Sequence, residues 1–161
     1  MTASSGGDLN IREAEGAADM KAVRELFIEF QGIINVDLCF QGFDEELATL
    51  PGRYARPLGR LFLAMDGDEA VGVTGLRPMG DGVAEMKRLY LRSPWRGSGL
   101  GRRLAEAVVD AARHAGHKKI CLDTLDFMDE ARNMYRSMGF VEIPAYYDNP
   151  LDGVLYLECD L

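Results

Sequence analysis

The stretch RGSGLG, residues 96 to 101, sets glycines at alternate positions directly in front of an amphipathic segment. Glycine reaches left-handed backbone without a Cβ clash, so this spacing predicts a tight turn feeding a helix. Leu100, Leu104, Ala107, Val108, Ala111 and Ala115 then recur at helical spacing as far as Gly116. VAEMKRLYL reads as a strand before the turn, and KKICLDTL as an apolar strand after the helix. Strand, helix, strand at this length is a βαβ crossover, which requires the two strands to be parallel.

The rest of the chain is built around that unit. Residues 1 to 8 are small and polar and read as a flexible tail, leaving residues 9 to 161 as a single domain. LNIREA alternates as a first strand, and helices are expected over residues 17 to 30 and 44 to 50. RLFLAM, EAVGVTGLRP and VAEMKRLYL, joined by DGDE and MGDG, make an antiparallel meander. A helix over residues 129 to 138, stopped by Gly139, precedes the strands FVEI and VLYLECDL. The expected fold is therefore α/β of the α+β kind, with about seven largely antiparallel strands and about four helices.

Charge says what the glycine turn holds. From Met86 to Ala105 there is no acidic residue, while Lys87, Arg88, Arg92, Arg96, Arg102 and Arg103 place 6 of the 18 basic residues in 20 positions. Arginines in the first turn of a helix oppose its dipole by ~0.3–1 kcal/mol each, a conflict that a bound anion removes. Backbone amides of a glycine turn and a helix N-terminus converge on such an anion, so a phosphate group is implied. No Lys-Ser/Thr pair follows, which excludes a P-loop. The dinucleotide fingerprint GxGxxG fails at its third glycine, where Arg102 stands, although Asp123 could imitate the ribose-binding acid.

At 161 residues with net charge -8, the chain is too acidic for a general nucleic-acid binder. No apolar run reaches the ~18–20 residues of a membrane span, and the N-terminus lacks signal-peptide order, so a cytoplasmic protein is expected. Cys39, Cys121 and Cys159 are scattered and odd in number, and His114 and His117 flank a helix end. Neither a disulfide framework nor a metal site is expected from them.

Arg96-Gly97-Ser98-Gly99-Leu100-Gly101 is similar to the acetyl-CoA signature Q/R-x-x-G-x-G/A of the GNAT N-acetyltransferase superfamily. YRSMGF, residues 135 to 140, resembles the family's Y-x-x-x-G-F, and the order of elements looks like the family's over essentially the whole chain. The resemblance implies that amides from about Gly97 to Arg102 hold the coenzyme A pyrophosphate, with Arg96 and Arg102 balancing its charge. It also implies that the strand carrying Leu89, Tyr90 and Leu91 splays from its parallel neighbour and offers main-chain groups to the pantetheine arm. One departure stands out: where many members carry an asparagine seven residues before the motif tyrosine, this chain has Met128.

Members typically pass the acetyl group directly to an amine, and deprotonating a lysine-like amine at pH 7 costs ~4–5 kcal/mol. Glu85, eleven residues before Arg96, occupies the place of a catalytic glutamate in some members, and the resemblance makes it the candidate base. A pairing of Glu85 with Lys87 or another basic neighbour explains its presence equally well, and Val83, Glu85, Lys87 and Leu89 share a side by alternation. Tyr135 is by the same resemblance the acid that protonates the leaving thiolate. Cys39 as a nucleophile has no histidine near it.

Acceptor specificity in such folds comes from segments that are here residues 35 to 46 and 144 to 153, both mixing acids with aromatics. A small-molecule or peptide amine is the expected acceptor and acetyl-CoA the co-substrate, with no metal. A homodimer is common among the proteins this chain resembles. The alternatives from other classes are a non-catalytic acyl-CoA sensor and an NAD(P)-binding oxidoreductase.

Overall fold

A computed structural model describes residues 8–34, 42–126 and 128–161. The elements run β1 (Leu9–Glu13), α1 (Gly16–Ile34), α2 (Phe43–Thr49), β2 (Arg60–Asp66), β3 (Glu69–Gly80) and β4 (Val83–Leu91). They continue through α3 (Leu100–His114), β5 (Lys119–Leu125), α4 (Asp129–Ser137), β6 (Val141–Ile143) and β7 (Val154–Asp160). The expected tail, apart from Asp8, lies outside the described residues, as does Cys39. Helix α1 runs four residues beyond the expected end at Phe30, through Gly32. Burial of Ile34 in the core offsets the ~1 kcal/mol that an interior glycine costs.

The strands form one sheet in the order β1-β2-β3-β4-β5-β7-β6. Strands β1 to β4 are an antiparallel meander, β4 and β5 are the parallel pair, and β7 inserts between β5 and β6 antiparallel to both. Helices α1 and α2 cover one face through Val23, Leu26, Phe27 and Phe43 on Leu61, Leu63 and Val73. Helices α3 and α4 cover the other, with Ala105, Val108 and Tyr135 on Leu76, Ala84, Met86 and Leu122. The buried stripe of α3 is Leu100, Leu104, Ala105, Val108, Val109 and Ala112. It is rotated from the expected one, and Ala107, Ala111 and Ala115 lie at its half-buried border.

Two irregularities in β4 shape the molecule. The first is a bulge: pairing with β3 slips between Val73↔Tyr90 and Gly75↔Lys87, and Arg88 takes φ 61°. The hydroxyl of Thr74 donates to the Lys87 carbonyl at 3.2 Å beside it. The extra residue leaves both Lys87 and Arg88 on the α1/α2 face and turns Leu89 towards α3, where it packs with Leu100 and Leu104. Strict alternation would have kept Leu89 on the side of Glu85 and Lys87, so that expectation is corrected. The second irregularity is the parallel seam, where only Val83, Ala84 and Glu85 pair with β5 while β5 pairs with β7 along all seven residues.

Gly75 lies under the ring of Tyr54, which is 3% exposed and packs edge-on against Phe27 at 5.9 Å. A Cβ on Gly75 would stand 2.5 Å from that ring. Gly75→Ala is expected to cost about 1–3 kcal/mol through overpacking. Thermal denaturation should show a midpoint lower by roughly 2–12 °C, and an unchanged midpoint would refute the packing argument.

Candidate active site

The glycine turn sits as expected between β4 and α3. Gly97 and Gly99 have φ of 79° and 89°, which makes them costly to replace by residues with a Cβ. Gly101 is helical, and a Cβ placed there would meet nothing within 4 Å, so its lack of a side chain leaves open space above the turn. The Ser98 hydroxyl accepts the Leu100 N–H at 3.3 Å. Among the described residues, the amides of Gly97, Gly99, Gly101 and Arg102 have no protein acceptor, and the first turn of α3 carries no acid. Four free donors at a helix N-terminus are the arrangement that suits an anion.

The basic stretch, however, divides. Arg96 and Arg102 line the mouth of the cleft that opens from this turn, while Lys87 and Arg88 line its inner end. Arg96 Nε donates to the Leu91 carbonyl at 3.1 Å, and Arg102 bridges to Ser137 of α4 at 2.7 Å. Arg103 points away to the Leu9 carbonyl of β1, and Arg92 is held by Glu29 at 2.7 Å. Lys87 bridges Glu85 and Asp123, and Arg88 pairs with Glu46 of α2 at 3.1 Å. The cleft holds about 540 Å³ and is walled by Leu89, Tyr90 and Leu91 of β4, by Met128, Ala131 and Met134 beside and within α4, and by Phe30 and Ile33 of α1. It narrows into a cavity of about 90 Å³ in the gap between β4 and β5, and Phe30, Leu89, Met128 and Ala131 line both.

Tyr135 lines that inner cavity and packs on Phe140 at 5.6 Å. Its hydroxyl has no protein partner among the described residues. Burial, and secondarily the charge of Asp123, raises its pKa above the ordinary tyrosine value, so at neutral pH it is a proton donor.

Glu85 is 1% exposed on the α1/α2 face, at the last paired position of the seam. Arg77, its cross-strand neighbour on β3, donates Nε to Oε1 at 2.8 Å, and the Tyr146 hydroxyl donates to Oε2 at 2.6 Å. Lys87 Nζ lies 3.8 Å from Oε2 and 3.3 Å from Asp123 Oδ1, joining the two carboxylates. The Tyr147 hydroxyl closes the network on Asp123 Oδ2 and in turn accepts from Asn149 at 2.8 Å. Burial pushes Lys87 below the usual lysine range, against the pull of Glu85 and Asp123. Burial and the adjacent carboxylates hold Tyr146 and Tyr147 well above the usual tyrosine range, so both keep their protons. Cys121 sits beside this network, and burial followed by the charge of Glu85 pushes its thiol up to about 12. A thiol held so high is no nucleophile at neutral pH.

Glu85 therefore has the basic neighbours that its position on a sheet face suggested, Arg77 first and Lys87 second. The residues that sequence reasoning passed over are Arg77, Tyr146, Tyr147 and Arg53. Counting back along both arms from the GDG turn at residues 80 to 82 sets 77 opposite 85, which was a usable signal for the first. The tyrosines lie in the expected acceptor segment at 144 to 153, where the aromatics turn inward and Asp148 and Asp152 face solvent. The dinucleotide alternative falls on two grounds: the sheet is a mixed meander rather than a doubly wound one, and Asp123 is engaged by Lys87 and Tyr147.

Residues 21 to 140 match the family model described as acetyltransferase (GNAT) family. An uncharacterized N-acetyltransferase of Schizosaccharomyces pombe is 33% identical over 156 residues, covering 96% of each chain. An uncharacterized N-acetyltransferase of Escherichia coli is 25% identical over 91% of this chain and 86% of that one. Among solved structures, an acetyltransferase from Streptococcus agalactiae superposes with a TM-score of 0.79 at 22% identity, covering 96% of this chain and 99% of that one. A Bacillus subtilis acetyltransferase in complex with CoA gives 0.68 at 21% identity, covering 96% and 99%. No helix among the described residues is long and apolar enough to cross a membrane.

Among the described residues, the Tyr146 hydroxyl is the sole neutral donor to the buried Glu85 carboxylate, and such bonds to charged groups are worth about 1.5–3 kcal/mol. Tyr146→Phe should lower stability by an amount in that range, read by chemical denaturation with an unchanged m-value. A variant as stable as the parent would show that Glu85 does not depend on this bond.

Proposed function

The chain belongs to the GNAT acetyltransferase family and is an acyltransferase, and from that premise we propose that it moves an acetyl group from acetyl-CoA to the primary amine of a small molecule or peptide. The observation that carries this reading is the continuity of the cleft. It runs from the open amides of the glycine turn, along the stretch of β4 that does not pair with β5, into the β4–β5 gap beside Lys87 and Asp123.

In this reading the amides of Gly97, Ser98, Gly99, Leu100, Gly101 and Arg102 frame the pyrophosphate site, with Arg96 and Arg102 neutralising its charge. Main-chain groups of Leu89, Tyr90 and Leu91, left without a strand partner on the β5 side, orient the pantetheine arm. Glu85 accepts the amine proton through a bridging water, because its two oxygens are already engaged by Arg77 and Tyr146. The freed nitrogen attacks the thioester carbonyl, the carbon–sulfur bond breaks, Tyr135 supplies a proton to the departing thiolate, and the second proton shed by the nitrogen as the amide forms restores the Tyr135 phenol. The products are an N-acetyl amide, free coenzyme A thiol and the proton left by the amine.

The first test is thiol release from acetyl-CoA and propionyl-CoA over a panel of amines. Turnover of at least one amine is expected, whereas tight acetyl-CoA binding with no turnover of any would favour an acyl-CoA sensor. Glu85→Gln should reduce kcat/KM about 10²-fold near pH 7, and the deficit should shrink as pH rises and free amine accumulates. Tyr135→Phe should lower kcat while the Kd for acetyl-CoA, measured by calorimetry, stays constant. Parental pH–rate profiles in both variants would remove these roles.

A further inference from the structure

Resting on the transferase reading, we propose that the acceptor is an amino-carboxylate, whose amine enters beside Glu85 and whose carboxylate is held by Arg53 and Arg77. The hollow on the far side of the seam from the donor cleft supports this. It holds about 250 Å³ and is lined by Arg53, Arg77, Glu85, Lys87, Tyr146 and Tyr147, together with Met79. Lys87 lines both this hollow and the inner cavity of the donor cleft, so the two approaches meet at that side chain.

The charge here runs against the rest of the protein. Although the chain carries net charge -8, three cations line this hollow against one carboxylate, and adding Asp123 behind Lys87 still leaves an excess of one cation. Lys87 is committed between Glu85 and Asp123, and Arg77 commits only its Nε to Glu85. Among the described residues, no acceptor takes the terminal nitrogens of Arg77. Arg53 gives Nη2 to the Pro78 carbonyl at 2.8 Å and has no carboxylate partner among the described residues.

Two guanidinium groups thus present open donor forks at one rim. That rim is shared with an adjoining hollow of about 370 Å³ that both arginines also line, where Glu45 and Glu46 add two carboxylates, the second paired with Arg88. A carboxylate is the anion that matches a guanidinium fork in two parallel hydrogen bonds. An acceptor without a carboxylate would leave those guanidinium donors unmatched. In the 144 to 153 segment, which mixes acids with aromatics, the acids face solvent and the tyrosines face the hollow.

The test pairs each of several α- and ω-amino acids with its own carboxamide as acceptor for acetyl-CoA. The α-carboxamides have the less basic amine and are intrinsically easier to acetylate at neutral pH, so a preference for the acids would come from the protein. At least one acid is expected to exceed its amide in kcat/KM by about tenfold or more, the magnitude of a charge-assisted pair. Arg53→Gln should erase most of that ratio by raising KM for the acid, and Arg53→Lys should restore part of it. Because Arg53 is exposed, the Tm of both variants should match the parent.

Equal use of acids and amides, or a ratio untouched by Arg53→Gln, would overturn the proposal while leaving the transferase reading standing. Calorimetry with N-acetyl amino acids and their amides in the presence of coenzyme A reads the anion site without turnover. Binding of the acids alone, lost in Arg53→Gln, would support that site even if the amine panel gave no thiol release and the transferase reading failed. Binding of neither product would overturn it.

Discussion

A strand in the middle of a sheet has two edges to satisfy, and β4 satisfies one of them for only a third of its length on the β5 side. Three residues pair with β5, after which β5 follows β7 and the rest of β4 is left with main-chain groups facing a gap. An unpaired strand edge in a protein interior is costly unless something else bonds to it. Here the edge opens onto the cleft, and the glycine turn at its far end supplies a second set of unmatched donors. The molecule thereby carries a groove of backbone polarity whose complement is a long, flexible, polar ligand with an anion at one end. Side-chain identity along Leu89, Tyr90 and Leu91 contributes walls rather than recognition.

The bulge at Arg88 sets what stands across the sheet from that groove. By adding a residue to β4 it keeps Lys87 and Arg88 on one face, where Lys87 joins Glu85 to Asp123 and Arg88 pairs with Glu46 at 3.1 Å. Donor groove and polar network consequently belong to opposite sides of one seam and meet where the strands part. Tyr135 reaches that meeting point from the α3/α4 face and Glu85 lies on the other, both of them buried.

Most of the fold was legible because it follows from period and punctuation. Helical spacing, alternation and the Gly/Asp turns located the seven strands and four α-helices of the described residues, and the glycine turn was visible as a local pattern. What escaped depends on register. Arg88 carries no sequence mark of a left-handed residue, since glycine or asparagine would be the usual signal. The shift it imposes invalidated simple alternation at Leu89. Arg77 beside Glu85 requires hairpin counting, and Tyr146 and Tyr147 reach Glu85 and Asp123 across 61 and 24 residues of sequence. The pooled run of basic residues was read as one anion site, yet the fold sends Arg92, Arg103 and Arg88 to three separate carboxylate or carbonyl partners.

Tyr146 and Tyr147 are adjacent in one loop, yet one grips a carboxylate on β4 and the other a carboxylate on β5. The loop is therefore a clasp across the two strands at the point where they diverge. An inserted or deleted residue in it would reshape the hollow proposed for the acceptor and shift both carboxylates together. Across descendants of this sequence, choice of acceptor and speed of transfer would then be inherited as a single trait, and changing one without the other would call for compensating change in β4 or β5 themselves.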